Sequence, residues 1–99
     1  MNKLYEDLIG KKVVVRSSPS GVWMGELVAA DDAQVKLHNA RRAWSWEGAA
    51  SCSGLAVEGP SGGRITSPVR TVIVHDVCEA LEATKEAIGR WDEVKPWVA

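Results

Sequence analysis

The chain has 99 residues, which leaves room for one hydrophobic core and one domain over residues 1–99, and none for a separate catalytic unit. Hydrophobic residues make up 45% and charged residues 25%, values of a chain that folds. Twelve basic and thirteen acidic side chains give a formal net charge of -1, so no global field draws a polyanion, and any nucleic-acid affinity must come from a local patch.

In chain order, Leu4, Leu8 and Ile9 have helical spacing and Gly10 follows where a short helix would end. The β-branched run Lys11-Lys12-Val13-Val14-Val15-Arg16 predicts a first strand, closed by the turn-forming Ser17-Ser18-Pro19-Ser20-Gly21. A second strand is expected from Val22 to Ala29, with Trp23, Leu27 and Ala29 on one face and Val22, Met24 and Val28 on the other. Gly25 interrupts it, as a bulge or tight bend would. Asp31-Asp32-Ala33 turns the chain, and Gln34-Val35-Lys36-Leu37-His38 alternates as strand three. Strand four is predicted over Arg41-Arg42-Ala43-Trp44-Ser45-Trp46. The small-residue run Gly48 to Val57 suits one or two helical turns, and Glu58-Gly59-Pro60-Ser61-Gly62-Gly63 reads as a loop. Val69 to Val74 is the last clear strand, continuing to about Val77, and a helix is expected from about Glu79 to Arg90. Pro96 stops any helix.

No stretch approaches the roughly eighteen apolar residues that cross a bilayer, and the start, Met1-Asn2-Lys3-Leu4-Tyr5-Glu6-Asp7, lacks a signal peptide's apolar region. A cytoplasmic location and no membrane partner are expected. Cys52 and Cys78 form no CxxC pair, so buried thiols are expected rather than a zinc site or disulfide framework. The aromatic set is five Trp, one Tyr and no Phe. Each buried indole needs a partner for its N–H, so this composition favours interfaces and stacking surfaces.

Two resemblances follow from the residues. The spacing Gly21-x-x-x-Gly25-x-Leu27-x-x-x-Asp31, then Val35-x-Leu37 and Ala40, resembles the first motif of Sm-like proteins, small SH3-like barrels that bind RNA; the second Sm motif has no counterpart. The string Asn39-Ala40-Arg41-Arg42-Ala43-Trp44-Ser45-Trp46-Glu47-Gly48-Ala49-Ala50-Ser51, with Leu55-Ala56-x-x-Gly59 behind it, resembles short uncharacterised phage and prophage proteins. Cys52 and Ser53 stand where that family has Leu and Ser. The expected fold is therefore mainly β (α+β): a small bent antiparallel sheet or SH3/Sm-like barrel, with a short small-residue helix and a C-terminal helix.

Strand alternation puts Arg42, Trp44 and Trp46 on one face, where a guanidinium and two indoles can stack a base and pair a phosphate. Arg41 faces the other side. The unbulky Gly48-Ala49-Ala50-Ser51 lets a ligand approach the backbone, and Ser51 and Ser53 add hydroxyl donors. If a helix starts there, its free N–H groups attract an anion. Arg64, on the predicted loop, can close over a ligand. Arg42, Trp44, Trp46, Ser51, Arg41, Ser53 and Arg64 are thus the candidate binding residues. In the competing reading, Trp44 and Trp46 are core or interface residues, and Arg42 pairs with Glu47 or Glu58.

His38 and His75 have no metal-ligand spacing around them beyond Asp76. Ser51 and Cys52 lack a nucleophile-elbow or catalytic-cysteine signature, Asp31-Asp32 reads as a turn, and Gly59 to Arg64 is not a phosphate loop. No cofactor or catalytic residue is called for. The expected function is a non-enzymatic, homo-oligomeric phage protein, in the host cytoplasm, that binds a small nucleotide-type anion and sequesters a host immune signalling nucleotide. The alternatives are an Sm-like or SH3-like nucleic-acid binder and a protein-protein inhibitor module.

Overall fold

Val13, Val14 and Val15 are all fully buried, although alternate residues of a strand point to opposite faces. In the computed structural model, which describes residues 3–98, the reason is a sheet covered on both sides. Val13 and Val15 enter one hydrophobic cluster and Val14 enters another. Their strand, β1 (Lys12–Ser17), sits between β2 (Gly21–Asp31) and β6 (Val77–Glu82). The remaining strands are β3 (Gln34–Glu47), β4 (Gly62–Ile65) and β5 (Val69–Val74), and the helices are α1 (Cys52–Val57) and α2 (Lys85–Glu93). All pairings are antiparallel, in the order β4-β3-β2-β1-β6, with β5 also on β3.

The sheet curls until its ends meet. Val72 and Val74 of β5 and Val77 and Ala80 of β6 share the first cluster with Val13, Trp23 and Leu37, although β5 and β6 stand at opposite ends of the path β5-β3-β2-β1-β6. Tyr5, Leu8 and Ile9 close one side of this cluster from a 3-10 helix over Lys3–Leu8 and the turn after it. On the other face, Leu55 and Ala56 of α1 and Ala87 and Trp91 of α2 cover Val14, Val22, Met24, Ala43 and Ile65. Trp91 is wholly buried, and its Nε1–H donates to the Leu55 carbonyl at 3.0 Å. The expected bent antiparallel sheet with two short helices is the observed architecture.

Bulges supply the bend. At Gly25 the β2–β3 register shifts, and a Cβ on that glycine would lie 2.9 Å from both Cα and Cβ of Ala40. The extra residue on the facing strand is Asn39, at φ +51°, the left-handed conformation that Asn tolerates better than most side chains. A second shift after Leu27 brings Ala30, not the expected Ala29, into the first cluster.

Four expectations change, the first being that the strand expected to continue to about Val77 stops at Val74. Predicted strands three and four are one strand, β3, whose outer edge pairs with β5 in its first half and with β4 in its second. The Asn39 bulge bends this strand without breaking it. Residues expected to end a loop begin β4, because the second half of β3 otherwise has an open edge. Residues 79–82, expected in a helix, belong to β6, which pairs with β1 from Ser17↔Val77 to Val13↔Glu82. Here Ala80 faces the first cluster and Leu81 the second, so burial on both faces overrides the helix preference of Ala, Leu and Glu. The helix starts instead at Lys85, where the Thr84 hydroxyl accepts the Ala87 N–H at 3.0 Å and donates to the Val57 carbonyl at 2.7 Å.

Candidate functional site

Arg41 and Arg42 are neighbours in β3, so their side chains leave opposite faces of the sheet. Arg42 stands directly across from Trp23 on β2. Its guanidinium carbon lies 5.6 Å from the Trp23 ring centroid and 4.1 Å from that of Trp44, both within cation–π range. Trp23 is anchored: it is buried and its Nε1–H donates to the Ser20 carbonyl at 3.1 Å. Trp44 is 57% exposed. The Arg42 backbone is held by reciprocal bonds to Thr66, from Arg42 N to Oγ1 and from Thr66 N to the Arg42 carbonyl, each 3.0 Å. Among the described residues the ion pairs are Lys11–Glu82, Arg16–Glu79 and Arg90–Glu86. Neither Glu47 nor Glu58 pairs with Arg42, whose charge lies between a fixed indole and an open one.

Trp46 does not join them. The β3–β4 register shifts between Ala43 and Ser45, so the alternation reverses at Trp44. Trp46 packs against the second cluster, and its Nε1–H donates to the Ala49 carbonyl at 3.0 Å. There it lines a groove of about 460 Å³ together with Arg16, Ser51, Cys52, Ser53 and Glu79. The sheet therefore splits the expected site, with Arg42 and Trp44 on one face and Trp46, Ser51 and Ser53 on the other.

The groove is poorly suited to an anion. Arg16 is engaged by Glu79 at 3.4 Å, and that carboxylate repels negative charge. The Ser51 hydroxyl caps α1 by accepting the Gly54 N–H at 3.3 Å. Cys52 is half-buried and Cys78 exposed, so only the first approaches the expected buried thiol. Burial, and next the charge of Glu79, push the Cys52 thiol up against the opposing pull of Arg16. A raised thiol pKa means less thiolate, the reverse of an activated nucleophile.

Arg41 is 5% exposed, and its guanidinium is engaged by four backbone carbonyls. It donates to the carbonyls of Thr66 at 2.7 Å, Val94 at 2.8 Å, Ile65 at 3.5 Å and, by a short bond, Trp91. Desolvation lowers its pKa from the usual guanidinium value, with Asp92 opposing; arginine nevertheless stays charged. Its place is that of a clamp, fastening β4 and the end of α2 to β3.

Arg64 lies in β4 across from Ser45. Since its neighbour Ile65 enters the second cluster, Arg64 leaves from the face that carries Arg42. Its guanidinium carbon is 5.6 Å from the Trp97 ring centroid. Trp97 is held beside β4 by its backbone N–H, which donates to the Ile65 carbonyl at 2.8 Å. Trp23 and Trp97 are thus the site residues that the sequence reading missed. Trp23 had a signal: counting back in plain register from the Asp32-Ala33 turn sets it opposite Arg42, because the two irregularities of the β2–β3 ladder cancel. Trp97, beyond Pro96, had none.

His38 and His75 do not take part, and among the described residues no group of three His, Cys, Asp or Glu side chains could hold a metal ion. Likewise, no helix among them is long and apolar enough to cross a membrane.

The fold and site define a small curved β domain that displays guanidinium–indole pairs on one face. Residues 10–91 match the family model described as a domain of unknown function, DUF6948, and the chain belongs to that family. No curated protein matches it.

Proposed function

We propose that this chain is a non-enzymatic binding protein that takes a small nucleotide-type anion on its Arg42–Trp44 face. The observation that carries the reading is an arginine without an ion-pair partner among the described residues, stacked at 4.1 Å on an indole that is 57% exposed. Stacking fixes the guanidinium plane and leaves its N–H edge for a phosphate, while the outer face of Trp44 takes a base. Arg64 lies on the neighbouring strand and adds a second cation. The phage-like Asn39 to Ser51 string supports a phage or prophage setting, in which such a protein sequesters a host signalling nucleotide in the cytoplasm. A homo-oligomer completes the reading, since a second copy would cover a platform that one copy leaves open.

Calorimetry with cyclic nucleotides, ADP-ribose derivatives and mononucleotides tests this. Binding is expected for at least one of them and should weaken about tenfold or more in Arg42→Ala, the loss of a charge-assisted contact, with the variant shown to be folded by its melting curve. Silence across the panel, or Arg42→Ala binding like the parent, would refute it. A second reading, single-stranded nucleic acid binding, is favoured by the openness of the same platform. It requires an affinity that falls steeply with salt.

A further inference from the structure

The face that carries Arg42 and Trp44 has a second pair of the same chemistry. Arg64 and Trp97 repeat the guanidinium-over-indole arrangement on the strand hydrogen-bonded to the one that carries the first. Arg64 pairs with Ser45, three residues along β3 from Arg42; at about 3.3 Å per residue and about 5 Å between strands the two pairs stand about 11 Å apart, a separation that two joined nucleotides span. Both indoles are open, Trp44 at 57% and Trp97 at 38% exposed, and neither arginine has a carboxylate partner among the described ion pairs.

The second pair is held in place from two sides. The Trp97 N–H is bonded to Ile65 in β4, and three residues earlier the Val94 carbonyl accepts from Arg41. The tail that carries the indole is therefore fastened to the same two strands that carry the arginines. The Trp97 indole is thus positioned by backbone bonds and partly open, as a surface that takes a stacked base would be.

We propose that the two pairs form a platform for a dinucleotide, one base stacked on Trp44 and one on Trp97, with the linking phosphate engaged by Arg42 and Arg64. This rests on the nucleotide reading above and specifies its ligand as two bases joined through phosphate. A mononucleotide fills half of the platform, and a longer strand gains nothing after the second base. Chain length separates the two sources of a dinucleotide: the end of a strand is taken from hexa-adenylate as tightly as from pApA, whereas a site for a free dinucleotide takes hexa-adenylate more weakly.

The experiment is calorimetric titration of the full chain with AMP, the linear dinucleotide pApA and hexa-adenylate. Expected is pApA binding about tenfold tighter than AMP, the worth of one more stacked base, with hexa-adenylate no tighter than pApA. Trp97→Ala should bring pApA down to the parent's AMP value. Trp97→Phe should retain most of the gain, and Arg64→Lys, which keeps charge without a stacking plane, only part of it. Melting curves establish that each variant is folded. Equal binding of AMP and pApA, or Trp97→Ala binding pApA like the parent, overturns the two-base platform and leaves the nucleotide reading standing. Affinity that climbs through six nucleotides assigns the face to a longer strand and overturns the dinucleotide limit. Absence of binding for all three removes both proposals.

Discussion

Replacing Arg41 with methionine keeps an unbranched apolar stem of similar reach and deletes the guanidinium. Three of its four contacts are good hydrogen bonds, those to Thr66, Trp91 and Val94, and the fourth, to Ile65 at 3.5 Å, is marginal. Hydrogen bonds from a charged donor are worth about 1.5–3 kcal/mol each, which makes about 4.5–9 kcal/mol in gross terms. Against this, the variant no longer buries a guanidinium, whose desolvation costs several kcal/mol. The Thr66 and Val94 carbonyls accept Arg41 in part-buried bonds and regain water, while the buried carbonyls of Trp91 and Ile65 lose the charged donor and keep only the backbone N–H groups of Val94 and Trp97. A net loss of about 3 kcal/mol is expected, the lower end of what breaking a buried charged contact costs.

In a chain of 99 residues that loss lowers Tm by roughly 10–20 °C. Urea unfolding followed by tryptophan fluorescence measures it globally. Hydrogen exchange measures it locally: the Trp97 amide, bonded to Ile65, should lose protection at urea concentrations where β1 and β2 are still protected, because the tail has lost its anchor at Val94. Arg41→Lys should recover less than half of the stability, since one ammonium cannot reach four carbonyls spread over β4 and the end of α2. Stability within about 1 kcal/mol of the parent, with Trp97 protection unchanged, would refute the clamp.

Gly25→Ala should cost about 1–3 kcal/mol by overpacking, because its Cβ meets the Cα and Cβ of Ala40 at 2.9 Å; the urea midpoint reads it. Thr84→Ala removes both the α2 cap and the bond to Val57, for an expected loss of about 1–2 kcal/mol in the same assay. Iodoacetamide should label exposed Cys78 before half-buried Cys52, whose raised pKa keeps it protonated; mass spectrometry of partly labelled chain gives the order. Because the folded-state pKa of Cys52 is the higher one, its contribution to stability is fully present below the unfolded thiol's 9.0 and is lost as the pH rises above it. Replacing Cys52 by Ser should flatten that alkaline decline.

Local patterns made most of the fold legible. The valine run, the Gly25 interruption and the small-residue segment foretold β1, the bend in β2 and α1, because each depends on side chains close in sequence. The missed elements depend on partners far away. Residues 79–82 have helical composition, and only the open edge of β1, more than sixty positions earlier, makes them a strand. β4 is glycine-rich and reads as a loop until the second half of β3 supplies its ladder. The site was legible in its residue types and partly in its geometry. Arg42 and Trp44 were grouped by plain alternation, which holds for them; Trp46 was grouped by the same rule, which a bulge reverses.

Two adjacent arginines of the same strand have different surroundings. Arg41 and Arg42 occupy the stretch of β3 between the Asn39 irregularity and the shift at Trp44, where alternation is regular and sends one to each face. Outside this stretch the parity changes, so Leu37 and Ala40 both reach the first cluster, and Ala43 and Trp46 both reach the second. Without the shift at Trp44, Trp46 would stand beside Trp44 on the open face, and the second cluster would lose the indole that closes the groove over α1. A charge that finds four carbonyls on one side stabilises the fold; its neighbour finds only aromatic rings and keeps its hydrogen-bonding edge unspent. The pairing of a saturated arginine with an unsaturated one therefore follows from the regular alternation between the two irregularities, and it directs the search for a ligand to the Arg42 face and away from the groove behind it.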